Sequence, residues 1–197
     1  MSENKREITL VPILDTPTDI QSAIRDIRNE PGVRKWMYTE HVISPEEHSR
    51  WLEGLAGDNR QSVFVVLEDK VVPLGIVSVN AVDRLHRKTD WAFYLTSTAR
   101  GGLGSTLEYH FLNFVFDTLG MEKLNCEVIE GNDPVVALHE RFLFNREGFR
   151  RSNIVKDGKR LGVHFLGLTR EDWREGRDQV FESHKGLFDR FDLSIDA

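Results

Sequence analysis

The amino-acid sequence predicts a single α/β domain in which helices flank a mixed, mostly antiparallel central sheet of about seven strands. The chain has 197 residues, a length that suits one domain. Short alternating apolar runs follow one another as in hairpins, and strand–helix pairs appear in the second half. The predicted order is β-α-α-β-β-β-α-β-α-β-β. We place the main domain at residues 1–170 and a charged, helical C-terminal extension at residues 171–197.

The composition excludes several classes of protein. The hydrophobic share of 40% and the charged share of 29% are ordinary for a soluble globular protein. The net charge of −6 and the lack of a basic stripe argue against nucleic-acid binding. The start of the chain, MSENKREITL, has no hydrophobic signal core, and no apolar run approaches a membrane span. We therefore expect a cytoplasmic protein without a nucleic-acid or membrane partner.

The N-terminal half predicts one strand and two helices. The run REITLVPIL alternates and predicts the first strand. The run TPTDIQSAIRDIRN predicts a helix that stops near Pro31-Gly32. A connector, VRKWMYTEHVI, leads to SPEEHSRWLEGL, where Ser44 can cap a helix. Pro45 fits the first helical position and Glu47 completes a capping box.

The second half alternates between strands and helices. SVFVVLED and VPLGIVSVNAVD predict strands around a turn at Asp69-Lys70, and KTDWAFYLT predicts the next strand. GLGSTLEYHFLNFVFDT predicts an amphipathic helix that ends before Gly120. KLNCEVI predicts a strand and NDPVVALHERFLF a helix. GFRRSNIVKDGKRLGVHFLGL predicts a hairpin that turns at Asp157-Gly158.

A glycine-rich turn, ARGGLGS at residues 99–105, joins a predicted strand to a predicted helix. A Walker A loop requires a lysine after the glycines, which this turn lacks. A dinucleotide fingerprint requires a small residue where Leu107 stands. Two interpretations remain. The turn either forms a backbone nest that binds a pyrophosphate, with added charge from Arg100, or it is a tight turn that binds nothing.

The order and spacing of these segments resemble the GCN5-related N-acetyltransferase (GNAT) family, from residue 7 to residue 170. The family's phosphate loop, Gln/Arg-x-x-Gly-x-Gly/Ala, aligns on Gly102 and Gly104, although Ala99 takes its first position. The later motif resembles Asn-x-x-Ala-x-x-Leu-Tyr-x-Lys-x-Gly-Phe. The matching positions are Asn132, Leu138, Arg141 and Phe144. His139 stands where the family has tyrosine, and Leu143 stands where it has glycine.

The N-terminal half is further similar to one branch of this family. MYTEHVISPEEHSRWLEGL, DWAFYL and LHERF resemble the sugar-nucleotide N-acetyltransferases of pseudaminic acid biosynthesis, which acetylate the 4-amino group of a UDP-linked dideoxy amino sugar. The resemblance implies an acetyl-CoA-dependent N-acetyltransferase that acts on a nucleotide-linked amino sugar without a metal. Oligomeric state is not fixed by the sequence, and a homodimer stays open.

Two other functions remain open at this point. REGFRR and DWAFYL also resemble acetyltransferases that modify protein N-termini, particularly those of ribosomal proteins, and an acidic chain can attract a basic peptide. The departures at Ala99 and Leu143 leave room for a non-catalytic acyl-CoA-binding module.

Acetyl transfer to an amine requires one group that takes a proton and one that protonates the leaving thiolate. The resemblance implies that His139 protonates the thiolate, which an imidazole can do near neutral pH. Candidates on the acceptor side are His48 as a proton relay, Ser78 as the residue that orients a water, and Glu127 as a base or a ligand of a sugar hydroxyl. Each has a structural alternative, as a surface histidine, a polar strand residue and an edge carboxylate.

Two sets of binding residues complete the prediction. Those for acetyl-CoA lie at the strand end, in the glycine turn and on the later helix: Phe93, Tyr94, Leu95, Arg100, Gly101, Gly102, Gly104, Ser105, Asn132 and Arg141. Those for the acceptor carry aromatic or thioether side chains: Met37, Tyr38, Trp51 and Trp91. Trp91 and Tyr94 have opposite strand parity, so they share a face only if the strand carries a bulge, which the family resemblance implies. Asn132 can instead cap its helix. Cys126 is interpreted as a small buried residue.

Overall fold

The computed structural model describes residues 5–99 and 101–196. The strands within this part of the chain are β1 (Arg6–Pro12), β2 (Ser62–Glu68), β3 (Val72–Asp83), β4 (Lys88–Leu95), β5 (Lys123–Ile129), β6 (Asn145–Lys156), β7 (Lys159–Thr169) and β8 (Phe191–Ile195). The helices are α1 (Thr18–Asn29), α2 (Pro31–Arg34), α3 (Pro45–Ala56), α4 (Leu103–Asn113), α5 (Asp133–Arg141) and α6 (Arg170–Phe188). A π-helical turn, Phe114–Thr118, continues α4, and a short 3₁₀ helix, Ile13–Asp15, follows β1.

All eight described strands form one sheet in the order β6-β7-β5-β4-β3-β2-β1-β8. Neighbouring strands are antiparallel except for the pairs β4–β5 and β1–β8, which are parallel. The predicted α/β class with a mixed, mostly antiparallel sheet is therefore confirmed. The sheet has one strand more than the sequence predicted.

Local signals in the sequence explain several boundaries. At the start of α3, the Ser44 hydroxyl accepts from the Glu47 amide, and the Glu47 carboxylate accepts from the Ser44 amide, which is the predicted capping box. The β6–β7 hairpin turns at Asp157 and Gly158, which have φ values of 48° and 71°. Such positive φ values are those that a tight hairpin turn requires.

The sheet separates two layers of helices. Helices α4, α5 and α6 cover one side, here named the α4 face, where Leu107 and Phe111 are fully buried. Helices α1, α2 and α3 cover the other side, here named the α1 face, which buries Ile24. Because side chains alternate along a strand, Trp91 lies on the α4 face and Tyr94 on the α1 face.

The C-terminal segment is part of the same sheet. Helix α6 confirms the predicted helical character of this region and buries Trp173, whose indole nitrogen donates to Asn113 at 2.9 Å. The chain then forms β8, which the sequence did not predict, and β8 pairs with β1 from Arg6↔Phe191 to Leu10↔Ile195. None of the helices among the described residues is long and apolar enough to span a membrane.

Strands β4 and β5 diverge after a short stretch of pairing. Their register runs from Lys88↔Lys123 to Asp90↔Asn125, and within the described chain no pair follows it. The predicted bulge in β4 is wrong, because its pairing with β3 is continuous from Asp90 to Leu95. The irregularity in this pair of strands lies instead beyond Asn80, in β3. The divergence leaves a wedge-shaped opening in the middle of the sheet.

Candidate active site

The opening between β4 and β5 is bordered by side chains of both faces of the sheet. At its apex, Trp91 and Cys126 follow the last paired residues and lie on the α4 face, where both are buried. Glu127 comes next along β5 and lies on the α1 face by alternation. Because β4 has no strand neighbour on this side beyond Asp90, its backbone can bond to a ligand that enters the wedge.

The glycine turn sits where β4 leads into α4. Gly101 and Gly102 have φ values of 83° and 94°, and Gly102 is the N-cap of α4 without a side-chain cap. A left-handed residue beside a right-handed one, as at Gly102 and Leu103, turns successive backbone amides toward one point and suits an anion. The predicted ligand Arg100 lies outside the described residues. Ser105, in the first turn of α4, is partly exposed.

Two glycines of this turn have different packing roles. A Cβ at Gly102 would overlap the side chain of Leu187 from α6, so this glycine is required by the fold itself. A Cβ at Gly104 would meet only the ring of Phe93, at 3.9 Å. That distance is ordinary van der Waals contact, so a side chain at position 104 fits the protein. Gly104 is therefore the position at which ligand binding can be tested separately from folding.

A buried ion pair lies behind the apex, on the α4 face. His139 of α5 is 4% exposed, and its Nδ1 lies 2.8 Å from Oε1 of the fully buried Glu108 of α4. Burial by itself lowers the pKa of His139, but the charge of Glu108 and hydrogen bonds to Glu108 and Cys126 outweigh it and raise the pKa to about 10. His139 is therefore an imidazolium at neutral pH. Nδ1 is directed to Glu108, so a proton given to a leaving sulfur has to come from Nε2.

Aromatic rings enclose this ion pair. The imidazole of His139 lies 5.4 Å from the ring of Trp91 and 5.2 Å from that of Phe144, centroid to centroid. Oε2 of Glu108 and Nε1 of Trp91 are both buried and lack a hydrogen-bond partner. A buried donor and acceptor without partners are costly, and a polar atom entering beside them from the wedge can satisfy them.

A cavity of about 330 Å³ opens on the α1 face. Helices α1 and α3, the connector after α2, and strands β3 and β4 enclose it. Its lining residues are Arg28, Thr39, Ile43, Glu47, His48, Trp51, Ile76 and Tyr94. The walls are thus largely apolar or aromatic, with a few polar groups, which is typical of a small-molecule site.

His48 presents a proton acceptor to this cavity. The side chain is 8% exposed and lies 5.2 Å from the ring of Trp51. Burial lowers the pKa of His48, although a hydrogen bond to the backbone of Gln21 opposes the shift. The imidazole is therefore neutral at pH 7 and donates to Gln21. Its Nε2 is buried and has no partner, so a lone pair is available there.

Arg28 brings a positive charge to the same cavity. Its Nη2 donates to the Thr39 hydroxyl at 2.7 Å, whereas Nη1 is buried without a partner. Burial lowers the pKa of Arg28, yet a guanidinium stays charged at neutral pH. Burial also raises the pKa of Tyr94, opposed by the nearby charge of Arg28, so this phenol is neutral.

Other predicted catalytic residues lie on the α1 face. The Tyr38 hydroxyl donates to the Glu127 carboxylate and so bridges the connector to β5 beside the wedge. Ser78 is buried. Its hydroxyl donates to the Ala92 carbonyl at 3.3 Å and accepts from the side-chain amide of Asn80 at 3.0 Å. These bonds occupy the Ser78 hydroxyl within the sheet, and Ser78 is not among the residues that line the cavity.

The structure divides the predicted site residues between the two faces. His48 and Trp51 line the cavity, and so does Tyr94, which the sequence assigned to acetyl-CoA. His139 lies on the opposite face, together with Phe93 and Leu95. Trp91, predicted for the acceptor, does not line this cavity, because without a bulge its ring points to the α4 face and stacks on Phe111.

Three further predictions concern residues at the margins of the site. Met37 packs beside the apolar cluster of the α1 face, and its carbonyl accepts from Lys156 at 2.8 Å. Asn132 is the N-cap of α5, but its side chain makes no capping bond, so its amide is free for another role. Arg141 is exposed at the end of α5.

Sequence reasoning missed Glu108 and Arg28. A signal for Glu108 exists, because it lies next to Leu107 and one turn before Phe111 in the predicted apolar face of α4, and a carboxylate in such a place needs a partner. Arg28 lacks such a signal. An arginine near the end of a surface helix is ordinary, and only the packing of α1 against α3 and the sheet places Arg28 in a cavity.

Comparison with known proteins agrees with this geometry. A family model described as an acetyltransferase (GNAT) domain matches residues 7–145. The uncharacterized N-acetyltransferase YokL of Bacillus subtilis, derived from the SPbeta prophage, is 27% identical over 56% of this chain and 63% of its own length. The chain thus spans less than two thirds of that relative. The spermidine N(1)-acetyltransferase of Vibrio cholerae is 24% identical over 64% of this chain and 73% of its own length.

Solved structures show the same fold. The spermidine N-acetyltransferase from Vibrio cholerae, in complex with CoA and spermine, aligns with a TM-score of 0.78 at 20% identity. The alignment covers 85% of this chain and 98% of that one. A dodecameric structure of that enzyme aligns with a TM-score of 0.70 over 84% and 95% of the two chains. The family model spans well over half of the chain, which therefore belongs to the GNAT acetyltransferase family.

Proposed function

We propose that this protein transfers the acetyl group of acetyl-CoA to a primary amine of a small molecule bound in the α1-face cavity. One observation carries the proposal. The wedge between β4 and β5 has the glycine turn and the Glu108–His139 pair on one side and the cavity on the other. Donor and acceptor can therefore approach the same stretch of β4 from opposite faces.

Acetyl-CoA is assigned to the α4 side of the wedge. The amides of the glycine turn and the start of α4 suit a pyrophosphate, and the unpaired edge of β4 suits the amide groups of the pantetheine arm. Phe93 and Leu95 lie on this face, and the free side chain of Asn132 offers a further hydrogen bond. Arg100 and Arg141 stay proposals for charge near the phosphates.

The acceptor amine loses a proton during the reaction. As its nitrogen attacks the thioester carbonyl, a C–N bond forms and the carbonyl oxygen becomes an oxyanion. The lone pair on Nε2 of His48 can take the proton, directly or through water, because the ring is neutral at pH 7. Glu127 is the second basic group on this face, with its carboxylate fixed by Tyr38.

The departing thiolate gains a proton at the other end of the reaction. When the C–S bond breaks, the electron pair stays on sulfur, and His139 is the imidazolium behind the apex. Proton transfer from Nε2 gives the thiol of CoA and a neutral imidazole, which solvent recharges. Glu108 acts through His139 as a positioning residue, because it holds the ring and keeps it protonated.

The chemical class of the acceptor is a second question. The relative with a named substrate acetylates spermidine, which makes a polyamine one candidate. The resemblance in MYTEHVISPEEH makes a nucleotide-linked amino sugar another, although the relatives named above do not support it. A basic N-terminal peptide is the third. We also propose self-association of this chain, by likeness to the dodecameric relative, which light scattering after size-exclusion chromatography tests.

A paired experiment tests the acetyl-CoA assignment. Gly104→Val places a branched side chain where the pyrophosphate would meet the backbone. We expect calorimetry to show about 10- to 100-fold weaker acetyl-CoA binding, the loss of one or two hydrogen bonds to a charged group. Gly148→Val is the matched control, since Gly148 also has free space around it but lies on β6. Equal affinity for wild type and Gly104→Val would remove the turn from the acetyl-CoA site.

A further inference from the structure

Arg28 is the one arginine or lysine among the described residues that line the acceptor cavity. Of its two terminal nitrogens, Nη2 bonds to Thr39, whereas Nη1 is buried without a partner. Within the described residues no ion pair includes Arg28. Arg28 is half-buried, but a buried N–H without a partner is itself costly, so the position of Nη1 favours an acceptor oxygen supplied from outside the chain.

The cavity has no unpaired carboxylate, among the described residues, that could bind a cationic acceptor. Among the described residues that line it, Glu47 is the one acidic side chain. Both of its oxygens are occupied, because Oε2 accepts from the Ser44 amide at 2.9 Å and Oε1 pairs with Nε2 of His41 at 3.0 Å. A polyamine carries several ammonium groups, and one carboxylate that already has two partners is a weak counterpart for them. The cavity therefore suits a polycation poorly.

The remaining walls suit a compact body with an apolar or aromatic surface. The space is surrounded by two isoleucines, Ile43 and Ile76, and by two aromatic residues, Trp51 and Tyr94. The flat rings of Trp51 and Tyr94 can pack against a sugar face or an aromatic ring. His48 holds a lone pair over the same space. An acceptor bound here thus meets one proton acceptor, one cation and apolar walls.

We infer that the acceptor is a primary amine that also carries an anionic group, either a phosphate or a carboxylate, and that Arg28 binds this anion. The inference rests on the proposed function in one respect, which is that the acceptor binds in the α1-face cavity. A guanidinium forks onto two oxygens of a phosphate or a carboxylate. Such a contact would satisfy Nη1 and fix the amine relative to His48, so Arg28 determines acceptor specificity.

Matched amines test the inference. Release of CoA is measured with glucosamine 6-phosphate against glucosamine, with phenylalanine against phenethylamine, and with spermidine alone. In wild type we expect the anionic member of at least one pair to have a kcat/KM about 10- to 100-fold above that of its uncharged counterpart. The pair that responds tells phosphate from carboxylate.

Two variants assign the preference to one residue. Arg28→Met keeps most of the side-chain length and removes the charge, and we expect it to abolish the preference for the anionic member of the pair. Arg25→Met is the control, since Arg25 is also on α1 but is paired with Asp26 at 2.7 Å. It should keep the preference. A preference that persists in Arg28→Met overturns the inference.

The remaining outcomes separate the inference from the proposed function. Acetylation of spermidine alone would leave the acetyltransferase standing and overturn the anionic acceptor. If no amine is acetylated, calorimetry with glucosamine 6-phosphate and with phenylalanine on the CoA-loaded protein decides. Binding of either that Arg28→Met abolishes supports the anion site without the reaction, and no binding of either rejects it.

Discussion

The two faces of the sheet each hold a buried histidine, and the two are tuned in opposite directions. His48 on the α1 face has no carboxylate partner, and burial lowers its pKa. His139 on the α4 face is more deeply buried, yet its pKa is raised to about 10, because Glu108 lies 2.8 Å away and Cys126 adds a hydrogen bond. A nearby carboxylate is therefore the main reason why one buried imidazole is charged at pH 7 and the other neutral.

This contrast matches the two proton transfers that acetylation requires. A neutral ring on the acceptor side can take a proton, and a charged ring on the donor side can give one. Two titratable groups whose environments push their pKa values apart are a common arrangement for acid–base catalysis. The two histidines should therefore affect the rate by different steps and the stability of the fold with opposite pH dependence.

The largest effect is expected from removing the charged ring. His139→Phe keeps the bulk among the aromatic rings but cannot give a proton to the thiolate. We expect kcat and kcat/KM to fall together by roughly 100-fold, at the low end of the ~10²–10⁴-fold range for general acids, because a thiolate is a good leaving group. Acetyl-CoA affinity, measured by calorimetry, should change little.

His139→Tyr is the matched variant for this prediction. It places a tyrosine, the residue of the family motif, at this position. Since tyrosine can give a proton, its rate should exceed that of His139→Phe. Similar rates for wild type, Phe and Tyr would mean that His139 only fills space and that solvent protonates the thiolate.

The second-largest effect is expected from making His139 neutral at pH 7, as His48 is. Glu108→Gln keeps the shape and removes the charge, so burial should bring the pKa of His139 below about 6.5. At pH 8.5 a ring with that pKa is about 1% protonated. We expect the rate relative to wild type to fall by about 10- to 100-fold at pH 8.5 and to recover as the pH is lowered to 6.

A double variant separates catalysis from folding here. In the His139→Tyr background, Glu108→Gln should add no pH dependence of its own, since tyrosine stays protonated throughout this range. A wild-type pH profile for Glu108→Gln, accompanied only by a lower Tm, would make the pair a structural ion pair.

Much of the fold could be predicted because its signals are local. The capping box at Ser44 and the hairpin turn at Asp157-Gly158 each depend on residues adjacent in the chain. Strand β8 could not be predicted in this way, since its five residues gain their stability by pairing with β1, more than 180 residues earlier. The bulge expected in β4 rested on resemblance, and the continuous register with β3 excludes it.

The site was harder to predict because its groups meet through packing. The parity argument correctly separated Trp91 from Tyr94, yet the partners of His139 and the charge of the cavity come from distant elements. The departure at Leu143 has a structural reason. The backbone at Leu143 has a φ of 71°, a value at which glycine is favoured. The leucine side chain nevertheless has a packing partner, because it lies so close to Gly176 of α6 that a Cβ there would clash with it. Helix α6 thus packs on this leucine.

A smaller effect is expected from removing the neutral ring. His48→Gln retains a polar side chain of similar length but cannot accept the proton of the amine. Because Glu127 and water remain as alternative acceptors, we expect kcat/KM for the amine to fall by about 10-fold, below the usual ~10²–10⁴-fold range. Acetyl-CoA binding should be unchanged. A wild-type rate would remove His48 from the proton path and leave Glu127 as the base.

The smallest effect is on stability against pH, where the two histidines have opposite signs. The raised pKa of His139 contributes stability that is full below about pH 6.5 and is lost as the pH rises through about 10. The lowered pKa of His48 contributes stability that is present above about pH 6.5 and is lost as the pH falls, because the unfolded chain then binds the proton first. As the pH falls from 7.5 to 5, the lowered pKa of His48 therefore reduces the stability of the fold.

His110 contributes with the same sign as His48, since burial lowers its pKa too, so the measurement must be a difference between variants. We expect Tm to fall between pH 7.5 and pH 5 by a few degrees less in His48→Gln than in wild type, given about 2–4 °C per kcal/mol at this size. His86→Gln, at an exposed site, should match wild type. An identical fall in His48→Gln would mean that His48 can be protonated in the folded protein without cost, and the contrast between the two faces would then rest on His139 alone.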